Sequence, residues 1–168
     1  MQLVLPSLSH QAEALAFRQA FFDAGETTLH GDGGLYAAAD YAAWVEKVTR
    51  DRTDPLPTFV PATVYFGVAE GRIVGILQIR HFLNEYLLQY GGHIGYSVCP
   101  TARRRGHATA MLAQALDACR ALGLDRVLLT CDRDNLGSAG TIQKNGGLLE
   151  NEVAEPDGNL LQRYWITL

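Results

Sequence analysis

Residues 93–109 read HIGYSVCPTARRRGHAT, and this stretch decides how the rest of the chain is read. Its first part, His93–Val98, is β-rich, entered through Gly91-Gly92 and ended at Pro100, and so predicts a strand. The part that follows leads into a helix predicted over 106–122. There Ala108, Met111, Leu112, Ala115, Leu116 and Cys119 make one apolar stripe, and Gly123 supplies the stop. Between strand and helix stand Arg103, Arg104 and Arg105. Cations at a helix N-terminus are disfavoured by about 0.3–1 kcal/mol each, whereas anions are welcome there. A bound polyanion whose charge exceeds what the free helix N–H groups can meet resolves the conflict. Gly106 lets the backbone approach such an anion, and Ala108 keeps the first turn slim. A solvated basic turn is the competing reading; the strand before and the periodic helix after weigh against it.

Upstream, 63–69 and 72–80 are β-rich runs separated by Glu70-Gly71, the pattern of a hairpin. Apolar residues recur at helical spacing over 10–24 and again over 38–48, where DRTDPLPTFVP stops the pattern. The glycine-rich stretch 25–34 predicts a mobile loop, and 3–5 a short first strand. Downstream, Val127–Leu129 is the apolar centre of a strand buried on both faces. Asn135 caps a short helix reaching about 145, with Gly146 at its end. Runs 147–153 and 160–168 close the chain as strands around Pro156-Asp157-Gly158. The order β-α-α-β-β-β-α-β-α-β-β predicts an α+β (mixed α/β) fold in three layers, with residues 1–168 as a single domain.

Composition narrows the function classes. The chain is 48% hydrophobic and 19% charged, which excludes a disordered tail. No run approaches the ~18 apolar residues of a membrane helix, and the first residues lack a secretory leader's pattern. A net charge of −4 argues against a basic protein that coats nucleic acid. Cys99, Cys119 and Cys131 are an odd count at no metal-ligand spacing, predicting a reducing, cytoplasmic setting and no metal.

The run Val98-x-Pro100-x-x-Arg103-x-x-Gly106-x-Ala108 resembles the acetyl-CoA loop of the GCN5-related N-acetyltransferase (GNAT) superfamily. That loop has the signature Arg/Gln-x-x-Gly-x-Gly/Ala. HIGYSV, GLDRVLLTCDRDN, KNGG and RYWI resemble a branch of predicted acetyltransferases within it. The resemblance implies a central, mostly antiparallel twisted sheet of about seven strands. The fourth and fifth would splay apart, with about four helices flanking the sheet. It implies acetyl-CoA as cosubstrate. Arg103 belongs to the signature, and the backbone N–H groups of Arg104, Arg105, Gly106, His107, Ala108 and Thr109 would hold the pyrophosphate. Backbone groups from Tyr96 to Val98 would pair with the pantetheine arm, and Asn135 and Ser138 would reach the cofactor. For Asn135, a plain helix cap is an equal reading. The implied reaction is direct attack of a primary amine, of a small molecule or peptide, on the thioester in a ternary complex. Neither nucleic acid nor membrane is an expected partner, and a homodimer is allowed.

An alkyl amine of pKa near 10.4 is almost wholly protonated at neutral pH, so a base is useful. His93 is the first candidate, ahead of His81 and Glu85, with a hydrogen-bonded structural histidine as its competing reading. A backbone N–H near Tyr96–Ser97 would polarise the thioester carbonyl. Many relatives carry a tyrosine seven residues after the capping asparagine; here that position is Ile142. Cys131, Ser138 and Tyr164 are the substitute acids, and Cys131 as a covalent nucleophile is disfavoured. Tyr36, Tyr41, Trp44, Phe59 and Tyr86 are candidate acceptor-site walls, with Asp40, Glu46 or Glu85 drawing the ammonium. Ile142 keeps a second reading open, a module that binds CoA without transfer. A third, an anion- or nucleic-acid-binding domain, sits poorly with a pI of about 5.7.

Overall fold

The computed structural model describes residues 1–168. Strands β2 (Ala62–Ala69) and β3 (Arg72–Arg80) form the expected hairpin. Glu70 and Gly71 both take positive φ, 53° and 75°, as a two-residue primed turn requires. Strand β1 (Gln2–Val4) adds to β2 and β4 (Ile94–Val98) to β3, giving an antiparallel sheet in the order β1-β2-β3-β4. A second antiparallel sheet has the order β5-β7-β6, from β5 (Arg126–Asp132), β6 (Leu148–Ala154) and β7 (Leu160–Thr167). Strands β4 and β5 belong to different sheets, and a bridge just before β4 joins them at one end. There His93 N–H donates to the Leu128 carbonyl at 2.7 Å, and Leu128 N–H donates back to His93 Nδ1 at 2.9 Å. Beyond that bridge the strands part. The expected seven strands and the splay are both present.

Helices α1 (Gln11–Asp23) and α2 (Tyr41–Arg50) cover one side; α3 (His107–Ala121) and α4 (Leu136–Lys144) cover the other. Strand alternation assigns residues to these sides. Phe66 and Ile76 pack with Phe17, Phe21 and Trp44 under α1 and α2. Leu77 and Ile79 pack with Met111, Leu112 and Ile142 under α3 and α4. Phe66 is fully buried, and truncating such a ring to alanine costs about 3–5 kcal/mol. Helix α3 comes close to the hairpin because Gly67 and Gly75 leave room for Met111; a Cβ at Gly67 would lie 2.7 Å from its sulfur. Leu128 and Leu129 are wholly buried, as their unbroken apolar run predicts.

Three segments depart from the sequence expectations. Helix α2 starts at Tyr41 rather than near Ala38, because the Asp40 carboxylate accepts from Ala42 and Ala43 N–H. Ala38 stays outside, its carbonyl held by Arg18 Nη1 at 2.6 Å. The 25–34 loop, expected to be mobile, is docked. Leu29 and the adjoining Leu35 are buried, and Asp32 accepts from Gly34 and Tyr36 N–H. Gly31 rests on β4 so closely that a Cβ would strike the Gly95 carbonyl. The Asp32 carboxylate satisfies the loop's own backbone, and the Glu26 carboxylate pairs with Arg103. Finally, Leu87–Gly91 forms a wide π-type turn where only a connection was expected.

Candidate active site

A cavity of about 1290 Å³ runs through the opening between β4 and β5. Its walls come from the starts of α3 and α4, the exposed stretches of β4 and β5, the 25–34 loop and the Leu87–Gly91 turn. Register fixes which backbone groups of β4 face it. Arg80 N–H bonds His93 O and Cys99 N–H bonds Val74 O, so alternate β4 residues, Gly95 and Ser97, point their amides at β3. The N–H groups of Ile94, Tyr96 and Val98 face the opening. The expectation for Ser97 is thereby corrected: its amide serves the ladder, and its hydroxyl donates to the His30 carbonyl at 3.0 Å.

On the α3/α4 side, Gly106 precedes α3 with φ +80° and offers no side-chain cap. The first helical bond closes from Ala110 N–H to Gly106 O. The amides of His107, Ala108 and Thr109 are therefore open toward the cavity, which those residues line together with Arg104 and Gly106. Arg104 itself holds φ +64°, unusual for a residue with a side chain. These uncapped amides fit a diphosphate. Arg105 lies outside the cavity lining. Arg103 borders the cavity, but its head turns to Glu26 in a two-pronged pair at 2.7 and 2.8 Å, while Nε donates to Val98 O. That pair lowers the Glu26 pKa below its usual value against a smaller opposing effect of burial.

At the start of α4, Asn135 accepts from Ser138 N–H at 3.0 Å, the capping role read from the sequence, and both residues line the cavity. The Tyr96 phenol meets Ser138 Oγ at 2.9 Å. Burial pushes its pKa up to about 12, so it is a protonated donor at neutral pH. Ile142 is 1% exposed and packs in the core, so its position does not present a side chain to the cavity. Tyr164 is also core, its hydroxyl donating to Gln162 Oε1, and lies outside the cavity. Cys131 does line it, but burial pushes its thiol up to about 11, a poor setting for a nucleophile.

His93 is placed differently from the expected base. It lies outside the cavity lining and is 5% exposed, with Nδ1 accepting from Leu128 N–H. The neutral ring that accepts there carries its proton on Nε2, leaving no lone pair for another. Burial, with help from Arg80, pulls its pKa down to about 4. His93 fits the structural reading, a bridge holding the vertex of the splay. His81 sits in a separate cavity of about 270 Å³ with Arg52 and Tyr65, bonded to Thr63 Oγ1.

On the α1/α2 side, His30, Arg80, Tyr90, Asp132 and Glu155 line the cavity, and the sequence reading named none of them. Of the proposed aromatic walls only Tyr86 is present; Tyr41 and Trp44 are core, and Phe59 is exposed elsewhere. Asp40 is spent on its cap, and Glu46 and Glu85 are exposed outside the cavity. Thr130 Oγ1 donates to Tyr90 O at 2.7 Å, tying β5 to the wide turn. Asp132 and Glu155 share the Asn159 amide at 2.8 and 2.9 Å. Alternation along β3 after Ile79 would have placed Arg80 on this side, a signal present in the sequence.

No cluster of three or more metal-ligating side chains occurs, and no helix is long and apolar enough to cross a membrane. No curated protein matches the chain in sequence. Among solved structures, the microcin C7 self-immunity acetyltransferase MccE, in complex with acetyl-CoA and AMP, is 18% identical with a TM-score of 0.71. The match covers 99% of this chain and 91% of that one. The ribosomal L7/L12 alpha-N-protein acetyltransferase RimL, with coenzyme A, is 16% identical with a TM-score of 0.69, covering 99% and 93%. Spermidine N-acetyltransferase SpeG from Vibrio cholerae is 12% identical with a TM-score of 0.68, covering 99% and 95%. These likenesses show the fold. The acetyltransferase (GNAT) family model matches residues 31–147, well over half of the sequence. The chain belongs to the GNAT family and is an acetyl-CoA-dependent N-acetyltransferase.

Proposed function

We propose that the protein moves an acetyl group from acetyl-CoA to the primary amine of a small molecule or peptide, by direct attack in a ternary complex. The observation that carries this reading is the through-going cavity. It offers uncapped α3 amides on one side of the splay and a side-chain-lined stretch of the same cavity on the other. The relatives' acceptors, spermidine for one and a protein α-amine for another, suit that range. The α3 amides of His107, Ala108 and Thr109, with Arg104, hold the pyrophosphate; Tyr96 and Val98 present backbone groups to the pantetheine arm. Asn135 and Ser138 border the arm's path at the start of α4.

In the reaction the amine nitrogen bonds the thioester carbonyl carbon, the carbonyl oxygen takes up negative charge, and the C–S bond then breaks. Tyr96 N–H faces the opening and stabilises that oxygen. The Tyr96 phenol, held beside Ser138 in the first turn of α4, supplies a proton to the leaving sulfur. A thiol pKa near ~8.5 makes this assistance modest. The amine's own proton passes to a lone pair on the α1/α2 side, where His30, Asp132 and Glu155 stand. His93 keeps the vertex in place. The whole of residues 1–168 acts as one domain in this reading, and its three free, buried cysteines suit a reducing cytoplasm.

Initial rates with acetyl-CoA and an amine panel, followed by thiol release, test the proposal. Intersecting double-reciprocal lines, with turnover retained in Cys131→Ser, are expected. Parallel lines, or no thiol release above background despite bound acetyl-CoA, would overturn it.

A further inference from the structure

Arg80 is a charged group in the cavity that acetyl transfer leaves without a task. It closes β3 on the α1/α2 side, and its Nη1 donates to the carbonyls of Gly91 at 2.9 Å and Gly92 at 3.1 Å. Those bonds fix the guanidinium plane. Its Nε and Nη2 make no hydrogen bond within the protein, and none of the chain's five ion pairs includes it. Burial pulls its pKa down, with the Tyr86 phenol as the opposing influence and no carboxylate nearby to offset the cost. The head is only partly buried, and its unbonded Nε and Nη2 remain open to the cavity, where a ligand can supply the missing counter-ion.

Its position says which ligand. Nη2 lies 3.9 Å from where a Cβ on Gly95 would stand, so the free edge borders the stretch of β4 that carries Tyr96 into the opening. Strand alternation puts this head on the opposite side from the α3 amides, out of the pyrophosphate's place. Tyr86 and Tyr90 stand beside it with ring centroids 5.6 Å apart, an uncharged wall. Of the cavity's carboxylates on this side, Glu26 is paired with Arg103, while Asp132 and Glu155 belong to the end of β5 and the β6–β7 hairpin.

We infer that the acceptor is an amine that also carries a carboxylate, docked side-on against the Nε–Nη2 edge of Arg80. This rests on the N-acetyltransferase reading above and names its substrate class: amino acids and amino-acid-like molecules, as against polyamines. The planar fork matches a carboxylate's two oxygens, whereas a polyamine would bring a second cation to an uncompensated one. Asp132 and Glu155 provide the negative charge that draws the ammonium end.

The test uses the full chain with acetyl-CoA, the common amino acids, their carboxamides, phosphoethanolamine, spermidine and putrescine. A carboxylate-bearing amine is expected to exceed its own carboxamide by about 10- to 100-fold in kcat/KM, the worth of a charge-assisted pair. Arg80→Gln should collapse that ratio toward one, chiefly through KM, and Arg80→Lys should restore part of it. Should Arg80→Gln fail to fold, the wild-type ratio alone decides. Equal use of carboxylate and carboxamide, preference for a polyamine, or a ratio that survives Arg80→Gln overturns the inference. Preference for phosphoethanolamine overturns the choice of carboxylate. Acetyl-CoA binding by equilibrium dialysis separates the two readings: its loss sinks the transferase proposal, while bound acetyl-CoA with no carboxylate amine turned over sinks this one.

Discussion

The two sides of the splay are built from different materials. The α3/α4 side is largely backbone: uncapped amides at the start of α3, a positive-φ glycine before them, and β4 amides turned to the opening. The α1/α2 side is assembled from side chains on five separate segments, among them His30, Arg80, Tyr90, Asp132 and Glu155. In the proposed reading, a constant cosubstrate would be met by groups every residue possesses, in an arrangement that one short contiguous segment sets. A variable acceptor would be met by side chains that can change one at a time. The loop carrying His30 reaches the opening only because glycine meets glycine at Gly31 and Gly95.

The most damaging way to break this contrast is to alter one glycine on each side. Gly31→Ala places a Cβ against the Gly95 carbonyl at a residue with φ +73°. Undocking the loop should raise the amine KM by about 10-fold or more, given ~1–2 kcal/mol of left-handed backbone cost plus the collision. Acetyl-CoA affinity, measured by titration, should hold. Gly106→Val should do the reverse. Its Cβ has open space, so the penalty is the φ of +80° in a β-branched residue. It should weaken acetyl-CoA by about 10-fold while leaving the amine KM at saturating acetyl-CoA. Equal effects of both variants on both substrates would erase the distinction.

The same contrast explains what could be read without coordinates. The hairpin, the β4–α3 junction and the α4 cap are local: Glu70-Gly71, Gly106 and Asn135 each act within a few residues of their own position. They were legible, and with them most of the fold. The 25–34 loop looked mobile because its anchoring is distant: Ser97 is 67 residues from His30, whose carbonyl it bonds. His93 looked like a base because its residue type titrates near neutrality; the partner that occupies its lone pair, Leu128, is 35 residues away. Arg103 matched a cofactor motif, but Glu26, 77 residues upstream, claims its head. Sequence shows residue types in order, and long-range partners decide their roles.

His93 sits where the two sides meet, and its pH dependence measures how well that vertex is held. Its pKa in the folded state is about 4 against an ordinary 6.5, so the unfolded chain binds the extra proton first. The contribution to stability is complete above pH 6.5 and is lost as pH falls toward 4. Urea midpoints should therefore decline across that window. His93→Leu should remove the decline and cost about 1–3 kcal/mol at neutral pH, since the buried Leu128 N–H loses its acceptor. His93→Asn, which keeps an acceptor near the Nδ1 position, should also flatten the pH profile and recover part of the loss. A decline that persists in both variants would place the titrating group elsewhere.

The smallest expected effect belongs to the one ion pair that ties the two sides together, Glu26 with Arg103. Both side chains are substantially exposed, 34% and 43%, so Glu26→Gln should cost only about 0.2–1 kcal/mol, less at high salt. Because the pair holds the Glu26 pKa below 4.5, its contribution is present above that pH and fades as pH falls through the lowered value. The variant should flatten the acid limb of the urea profile there. Its kinetic signature is the more telling one. Arg103 joins the loop before α3 to the acceptor-side loop, so acetyl-CoA binding should lower the amine KM in the wild type and do so less in Glu26→Gln. Freed from Glu26, the guanidinium could instead reach the cosubstrate, as the motif implies. A gain in acetyl-CoA affinity with coupling unchanged would show that Arg103 belongs to the backbone-built side after all, and that the division between the two sides runs through Glu26.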